Sequence, residues 1–481
     1  MSHKIIYSIV FILILGQNLY SQIDSHYWTN QYGAKGLLLN GAVIASADDE
    51  TSIFYNPGCM GLADNLGFAF SFITPTYSSL KTKNFIGDEN VIADTGLGFA
   101  PGFLAVRLRP FRTDKLVLGV TRFQRFRSDI KFEDRVTNTV TNSPISLFRG
   151  DLKFQQKMSE EWIGVGMAYN ITKNLGIGFT QFSVWHSESL DFNFIKEIVF
   201  SNQPQIVGKS WRSEFDYDIS IYSAFITKFG MNYRSNNFSL GMTFTTPMYG
   251  NLSSRANYAI DDQKINQVGI STTTKSNRQE VDLQEYKSPM SIGLGLEVLL
   301  KEKLRLSISS EYFSNTDPIV YFSETDDSFD GISTGDADVS INVQTQRQSV
   351  VNVAFGLQYL KSEKSTLLCG FRTDFNESST LKINDTAEYL GSTPDVFHLS
   401  GGGTFKYGNN IFSIGIDLGY GGRSGAQQLA DLNNITSESL FTFSGAENVN
   451  STFYSAMLFI TYDFIYKSFE NPSKIDDIEN P

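Results

Sequence analysis

Along much of the chain, apolar residues alternate one by one with small or polar ones. From Phe412 to Tyr420, the residues Phe412, Ile414, Ile416, Leu418 and Tyr420 alternate with Ser413, Gly415, Asp417 and Gly419. Successive side chains of a β-strand point to opposite faces, so this segment has one greasy face and one small or acidic face. A helical period would mix the two sets. The same code recurs in Ile292, Leu294, Leu296 and Val298 against Gly293, Gly295 and Glu297, and in Leu304, Leu306 and Ile308 against Arg305, Ser307 and Ser309. It returns in Phe238, Leu240, Met242 and Phe244 against Ser239, Gly241 and Thr243, and in Leu175, Ile177 and Phe179 against Gly176, Gly178 and Thr180. Lipid outside and a polar lumen inside would impose this pattern.

Read throughout, the pattern predicts strands near 66–74, 101–109, 115–132, 152–169, 174–193, 211–234, 237–258, 279–300, 303–322, 350–361, 365–377, 395–407, 410–424 and 451–467. Alternate connections are short: Pro110 to Asp114, Asn170 to Lys173, Arg234 to Asn236, Lys301 to Glu302, Lys361 to Lys364 and Gly408 to Asn409. The others are long. Outer-membrane barrels have short periplasmic turns and longer extracellular loops, so the rhythm predicts an all-β antiparallel transmembrane barrel with an even strand number and both chain ends in the periplasm. A soluble sandwich has no reason to keep it. In the last strand Tyr454, Ala456, Leu458, Ile460, Tyr462 and Phe464 share the lipid face, which resembles the aromatic-ended targeting strand of outer-membrane proteins. Residues 468–481 then continue as a polar periplasmic tail of disorder-favouring composition.

The first residues read as an export signal over 1–21: Lys4, an apolar run from Ile5 to Gly16, and cleavage near Ser21-Gln22. That run is shorter than the roughly 20 residues a spanning helix needs, no Cys follows it to carry a lipid anchor, and no later stretch is apolar enough to span as a helix. Composition agrees with strands, since Phe (39), Tyr (22) and Gly (39) are abundant and Pro (12) is scarce. A net charge of −12 argues against a nucleic-acid partner. Cys59 and Cys369, the only two cysteines, exclude a disulfide framework; a single bridge is neither implied nor forbidden, and small apolar packing is the simpler account.

Residues 22–65 precede the barrel, which occupies 66–467. They contain Gly33, Gly36, Gly41 and the run Ala42-Val43-Ile44-Ala45-Ser46-Ala47-Asp48-Asp49-Glu50-Thr51-Ser52-Ile53-Phe54-Tyr55-Asn56-Pro57-Gly58. So apolar a run would be insoluble as a free tail, and a barrel of this size is too wide for its own side chains to fill; a plug inside the lumen resolves both. From Gly41 through Asp48-Asp49 to Asn56-Pro57 the run resembles the amino-terminal hatch of the FadL/TodX outer-membrane transport family, where small residues lead to Asp-Asp and then Asn-Pro-Ala. Gly58 and Cys59 stand here where Ala is usual. The resemblance, to a Bacteroidetes-type member, implies a monomeric fourteen-stranded barrel, free of cofactor, set in outer-membrane lipid and lipopolysaccharide. It would pass hydrophobic molecules such as long-chain fatty acids or aromatic hydrocarbons by rearrangement of its hatch, with sideways release through a gap in the wall. Asn56 and Pro57 would set a turn. Asp48 and Asp49 would cap backbone donors or pair with lumenal Arg107, Arg305 or Arg372, and the simpler account is that all four residues only hold the plug in shape. The alternation identifies no substrate-binding residue.

Other chemistry is thinner. Glu324, Asp326, Asp327, Asp330, Gly331, Asp336 and Asp338 form an acidic loop, but Ala337 stands where an EF-hand needs its twelfth-position Glu. Of four histidines, His3 leaves with the signal, His26 opens the plug, His398 sits in a late strand and only His186 falls where an outer rim would lie. Without a Gly-x-Ser-x-Gly elbow or a metal-binding His pair, a rim hydrolase is the weakest reading. Glu297, Arg372, Asp374 and Asp417 read as lumen-facing charges. The competing class is a protein-handling barrel, because related hatch-bearing barrels serve type IX secretion in gliding and oral bacteria.

Overall fold

The computed structural model describes residues 26–466 apart from 64–65, 72–73, 89, 101, 111–114, 140–144, 201–207, 267–268, 280–287, 318, 324–341, 384–386, 390–393, 429–430, 434–444 and 446. The export signal, the polar tail and the acidic loop lie outside these residues. The chain forms a closed antiparallel barrel of fourteen strands. They are β1 (Leu66–Ser71 continuing as Thr74–Lys83), β2 (Val91–Ala100 and Phe103–Leu108), β3 (Leu116–Thr139), β4 (Ile145–Asn170), β5 (Leu175–Phe200), β6 (Gly208–Arg234) and β7 (Phe238–Thr245 and Tyr249–Asn266). The remainder are β8 (Gly269–Gln279 and Ser291–Lys301), β9 (Leu304–Phe313), β10 (Val350–Ser362), β11 (Ser365–Asp374), β12 (Asp395–Tyr407), β13 (Asn410–Gln427) and β14 (Glu447–Tyr466). Each strand pairs with the next, and β1 closes on β14 with Leu66 opposite Tyr466. Closure of the strand ring satisfies most of the backbone within the sheet, as a strand-built membrane protein requires.

The strand count and the short turns are borne out, but in the first half of the barrel the intervening connections expected to be long are largely strand, with only two residues between Asn266 and Gly269. Several extents need correction: β1 runs on to Lys83 and β2 begins at Val91. Strand β9 ends at Phe313, and Ile319–Ser323 instead joins Asn342–Arg347, Ser378–Ile383 and Ala387–Tyr389 in a separate four-stranded sheet at the long-loop end. Strands β3 to β6 run 24, 26, 26 and 27 residues, more than twice the roughly 9–11 that cross a bilayer.

The reason those extents are long is visible on β4. Near the short-turn end its outward residues are Ile163, Val165, Met167 and Tyr169, while Gly164, Gly166 and Ala168 point inward. Beyond Glu161 the outward residues become Lys157, Lys153, Asp151 and Arg149, and the buried inward ones become Phe154, Leu152 and Phe148. The faces exchange polarity where lipid gives way to water. Exposed Leu294, Phe355, Leu399, Ile416 and Leu458 continue the apolar belt round the wall.

The ladder is interrupted between β2 and β3. The Phe103–Leu108 part of β2 pairs with both β1 and β3, but its Val91–Ala100 part pairs only with β1. Beyond Phe123, β3 therefore pairs only with β4, and a bulge falls between Gln124 and Phe126. Both cysteines are free thiols, Cys59 buried and Cys369 exposed.

Candidate functional site

Residues 26–63 lie inside the barrel, bonded to inward-facing groups around its circumference. They contain two short helices, α1 (Gly33–Leu38) and α2 (Ser52–Tyr55), and a 3₁₀ turn, Pro57–Cys59. So short a set of elements cannot satisfy its own backbone, and the wall supplies the missing partners. Asn232 Nδ2 and Ser239 Oγ donate to the Ala45 carbonyl at 2.9 and 2.7 Å, Thr180 Oγ1 to that of Ile53 at 2.8 Å, and Ser400 Oγ to that of Leu38 at 2.9 Å. The inward glycines of the alternation are where backbone meets wall. A Cβ at Gly241 would lie 2.2 Å from the Ile44 carbonyl oxygen, and one at Gly370 2.3 Å from the Leu39 carbonyl carbon.

The residues singled out from the sequence sit in this segment, with partners partly different from those expected. Asn56 caps the 3₁₀ turn, accepting from Gly58 N at 2.9 Å, and donates to the carbonyls of Ile44 (2.7 Å) and Met231 (3.1 Å). Pro57 opens that turn. Asp49 accepts from Thr51 N at 3.0 Å and from the Thr51 hydroxyl, so it does cap a donor. Asp48 pairs with Lys35 at 3.4 Å. Arg107 bonds the Asp48 carbonyl (3.2 Å) but pairs with Glu50 at 3.1 Å, Arg305 pairs with Glu297 at 2.9 Å, and Arg372 lies 3.7 Å from Asp417 and bonds Asn40. The three expected arginines pair with other carboxylates, and Lys35 of α1 reaches Asp48 from within the segment. Burial and the neighbouring Asp48 push the Asp49 carboxyl above its usual range, and burial raises Glu50 in spite of Arg107.

Two cavities flank the segment. On the short-turn side, a space of about 330 Å³ is lined by Lys35, Asp48, Asp49, Glu50, Arg107, Arg234, Lys406 and Asp463. Its charged walls suit water and not an apolar molecule. On the long-loop side a cavity of about 60 Å³ is walled by Tyr27, Trp28, Phe54, Tyr55, Trp162 and Phe313, with Arg125, Lys228 and Glu311 among them. The Phe54 ring lies 4.9 Å from that of Phe123, with Lys228 Nζ 4.9 Å and Arg125 Cζ 5.6 Å from its centroid. Lys228 Nζ is 4.0 Å from Glu311, which accepts from Trp28 Nε1 at 2.9 Å. Benzene occupies cavities of about 150 Å³, so this pocket is closed as it stands, and what closes it is the lumenal segment.

The wall residues of the pocket come from β3, β4, β6, β7, β8 and β9, and the alternation alone did not single them out. The available signal was phase: Lys228 shares the inward face of β6 with Gly230 and Asn232. The histidines are structural neighbours of carboxylates. His26 is buried 3.7 Å from Asp374, and His398 Nδ1 is 2.9 Å from Asp417. His186 faces inward with its Nδ1 3.0 Å from Glu160, away from any outer rim. Glu297, Arg372, Asp374 and Asp417 are buried on the lumenal face as expected.

A closed barrel with an apolar outer belt, charged extramembrane walls and an internal segment bonded to its lumen defines a transmembrane β-barrel with an occluded lumen. No family model and no curated relative matches the chain. Among solved structures, a Pseudomonas aeruginosa FadL homologue superposes at TM-score 0.55 and 10% identity over 92% of this chain and 99% of its own. The Pseudomonas putida toluene transporter TodX does so at 0.55 and 13%, over 92% and 100%. This chain has the FadL/TodX barrel fold, and the resemblance read from its sequence holds at that level.

Proposed function

We propose that the chain is an outer-membrane passage for hydrophobic small molecules, with its termini in the periplasm and residues 26–63 acting as a movable hatch. The observation that carries this reading is the aromatic pocket that the segment both lines and fills. An apolar molecule gains about 25 cal/mol per Å² of surface withdrawn from water, so displacement of Phe54 or Tyr27 by a ligand exchanges one apolar contact for another. Arg125 and Lys228 beside Glu311 favour an apolar acid of the long-chain fatty acid type over a neutral aromatic hydrocarbon, because a carboxylate would be held by charge-assisted bonds in a dry site. TodX is described as a toluene transporter and the other structure as a FadL homologue; the two cations draw this chain toward the acid-bearing class.

The charged cavity below the segment is a poor route for such a molecule. Sideways release has support in the ladder break between β2 and β3. There the Gln124 carbonyl accepts from Tyr32 Oη (2.8 Å) and the Arg125 carbonyl from Asn30 Nδ2 (2.9 Å), so lumenal side chains stand in for a missing strand. In this role Asp48, Asp49, Asn56 and Pro57 shape the hatch and carry no chemistry. Native mass spectrometry of the protein extracted in mild detergent tests the reading. A single apolar acid retained by the native chain and lost from Arg125→Ala/Lys228→Ala is expected. Co-purification of a protein partner with no small molecule bound would instead favour the secretion-accessory reading.

A further inference from the structure

Above the pocket, on the inward face of β4 and β5, five side chains form a polar chain between two apolar zones. Gln156 Nε2 donates to Glu188 Oε1 at 2.8 Å, and Glu188 Oε2 lies 3.6 Å from His186 Nε2. His186 Nδ1 lies 3.0 Å from Glu160 Oε2, and the other Glu160 oxygen accepts from the indole Nε1 of Trp162 at 2.7 Å. Glu160 and His186 are direct cross-strand partners, and Glu160 precedes Trp162 by two residues on the same face. Glu160 and His186 are each 2% exposed. The imidazole is hydrogen-bonded to Glu160 through Nδ1, and its Nε2 lies within ion-pair distance of Glu188.

Trp162 is the pocket end of this chain. Its ring is 5.0 Å from Phe182, 5.7 Å from Phe123 and 6.4 Å from Phe54, and Arg125 Cζ is 5.8 Å from its centroid. Packing against Phe182, Phe123 and Phe54 leaves the indole N–H still to be satisfied, and a buried N–H needs an acceptor, which Glu160 supplies. A buried carboxylate is also costly to keep in an apolar wall unless a cation and further donors hold it. That His186 sits opposite Glu160 on the neighbouring strand meets this need and explains why an acid stands there at all.

We propose that Glu160, braced by His186, is a positioning residue that fixes the Trp162 indole as the outer wall of the pocket and thereby sets how tightly the apolar part of a ligand is held. This rests on the reading of the pocket as a ligand site. The test uses the full-length protein purified in detergent, with dodecanoate and toluene as probes in titration calorimetry. The near-ultraviolet circular dichroism of Trp162 is isolated by difference against Trp162→Phe. Glu160→Ala is expected to weaken dodecanoate about tenfold, the worth of one buried hydrogen bond, and to abolish the Trp162 band. In the Trp162→Phe background the same change is expected to cost less than about twofold, because the group it positions has lost its N–H. Glu160→Gln keeps an acceptor for the indole and is expected to retain both band and affinity.

An equal loss in both backgrounds would overturn the proposal, as would an indole that reorients in Glu160→Ala with affinity unchanged. If Glu160→Ala fails to fold, Glu160→Gln decides: a tenfold loss with the Trp162 band intact contradicts positioning, and a retained affinity with a retained band supports it. A native protein that binds neither probe overturns the pocket reading and this one together. One that binds normally and ignores Glu160→Ala overturns this one alone.

Discussion

At Gly241 and Gly370 a single methyl group separates a seated lumenal segment from a displaced one. A Cβ there would lie within 2.2 and 2.3 Å of hatch backbone, and backbone cannot swing aside as a side-chain tip does. Overpacking of this kind costs about 1–3 kcal/mol. Gly241→Ala is therefore expected to expose residues 26–63 to limited proteolysis while the barrel keeps its heat-modifiable migration on gels; an unchanged cleavage pattern would show that the contact is slack. Glu377, in the connection after β11, gives a second prediction. It is 1% exposed, neither carboxylate oxygen has a hydrogen-bond partner, and burial pushes its pKa up to about 7. A value raised in the fold favours the protonated form. The contribution is thus complete below the ordinary carboxyl range and is lost as pH rises through about 7. The native chain should lose thermal stability relative to Glu377→Gln between about pH 5 and pH 8, and parallel melting profiles would contradict this.

At the scale of elements, the Asn56-Pro57 turn joins hatch to wall. Asn56→Ala removes two donated bonds and one accepted bond, and it leaves the Ile44 and Met231 carbonyls to find other partners. A local loss of about 3 kcal/mol follows from bonds of this buried kind. Hydrogen exchange of amides 44–58 should accelerate by roughly the hundredfold that this energy implies, with exchange in β13 and β14 unchanged. The strands themselves were legible wherever lipid and lumen impose opposite polarities, as in Phe412 to Tyr420. Their upper reaches were less so. On β3 the inward set runs Val117, Gly119, Thr121, Phe123 and Arg125, then shifts phase at the bulge to Ser128, Ile130 and Phe132. Past the belt, Phe132 and Phe154 stack inward at 5.9 Å, so apolar no longer means outward there. The hatch run was legible as an insoluble segment needing a lumen, but its true cation, Lys35, was not. Nothing in the spacing of Lys35 and Asp48 reveals that α1 turns back on the Asp48 stretch. Arg125, Trp162, Lys228 and Glu311 converge only once four strands are closed into a wall.

For the molecule as a whole, a closed wall, an aromatic pocket with two cations and a segment that fills it form one device. Lipid-facing apolar residues hold the barrel in the membrane, charged residues carry β3 to β5 beyond it, and lumenal glycines let the segment lie against the wall. In the proposed passage, the polar cavity beneath and the ladder break beside it favour sideways release of an apolar acid. Uptake of radiolabelled dodecanoate by cells lacking the chain and by the same cells supplied with it tests this most directly. The account predicts uptake that depends on the chain and falls at least about tenfold in Arg125→Ala/Lys228→Ala, the loss expected for removing charge-assisted contacts. Equal uptake with and without the chain would contradict it.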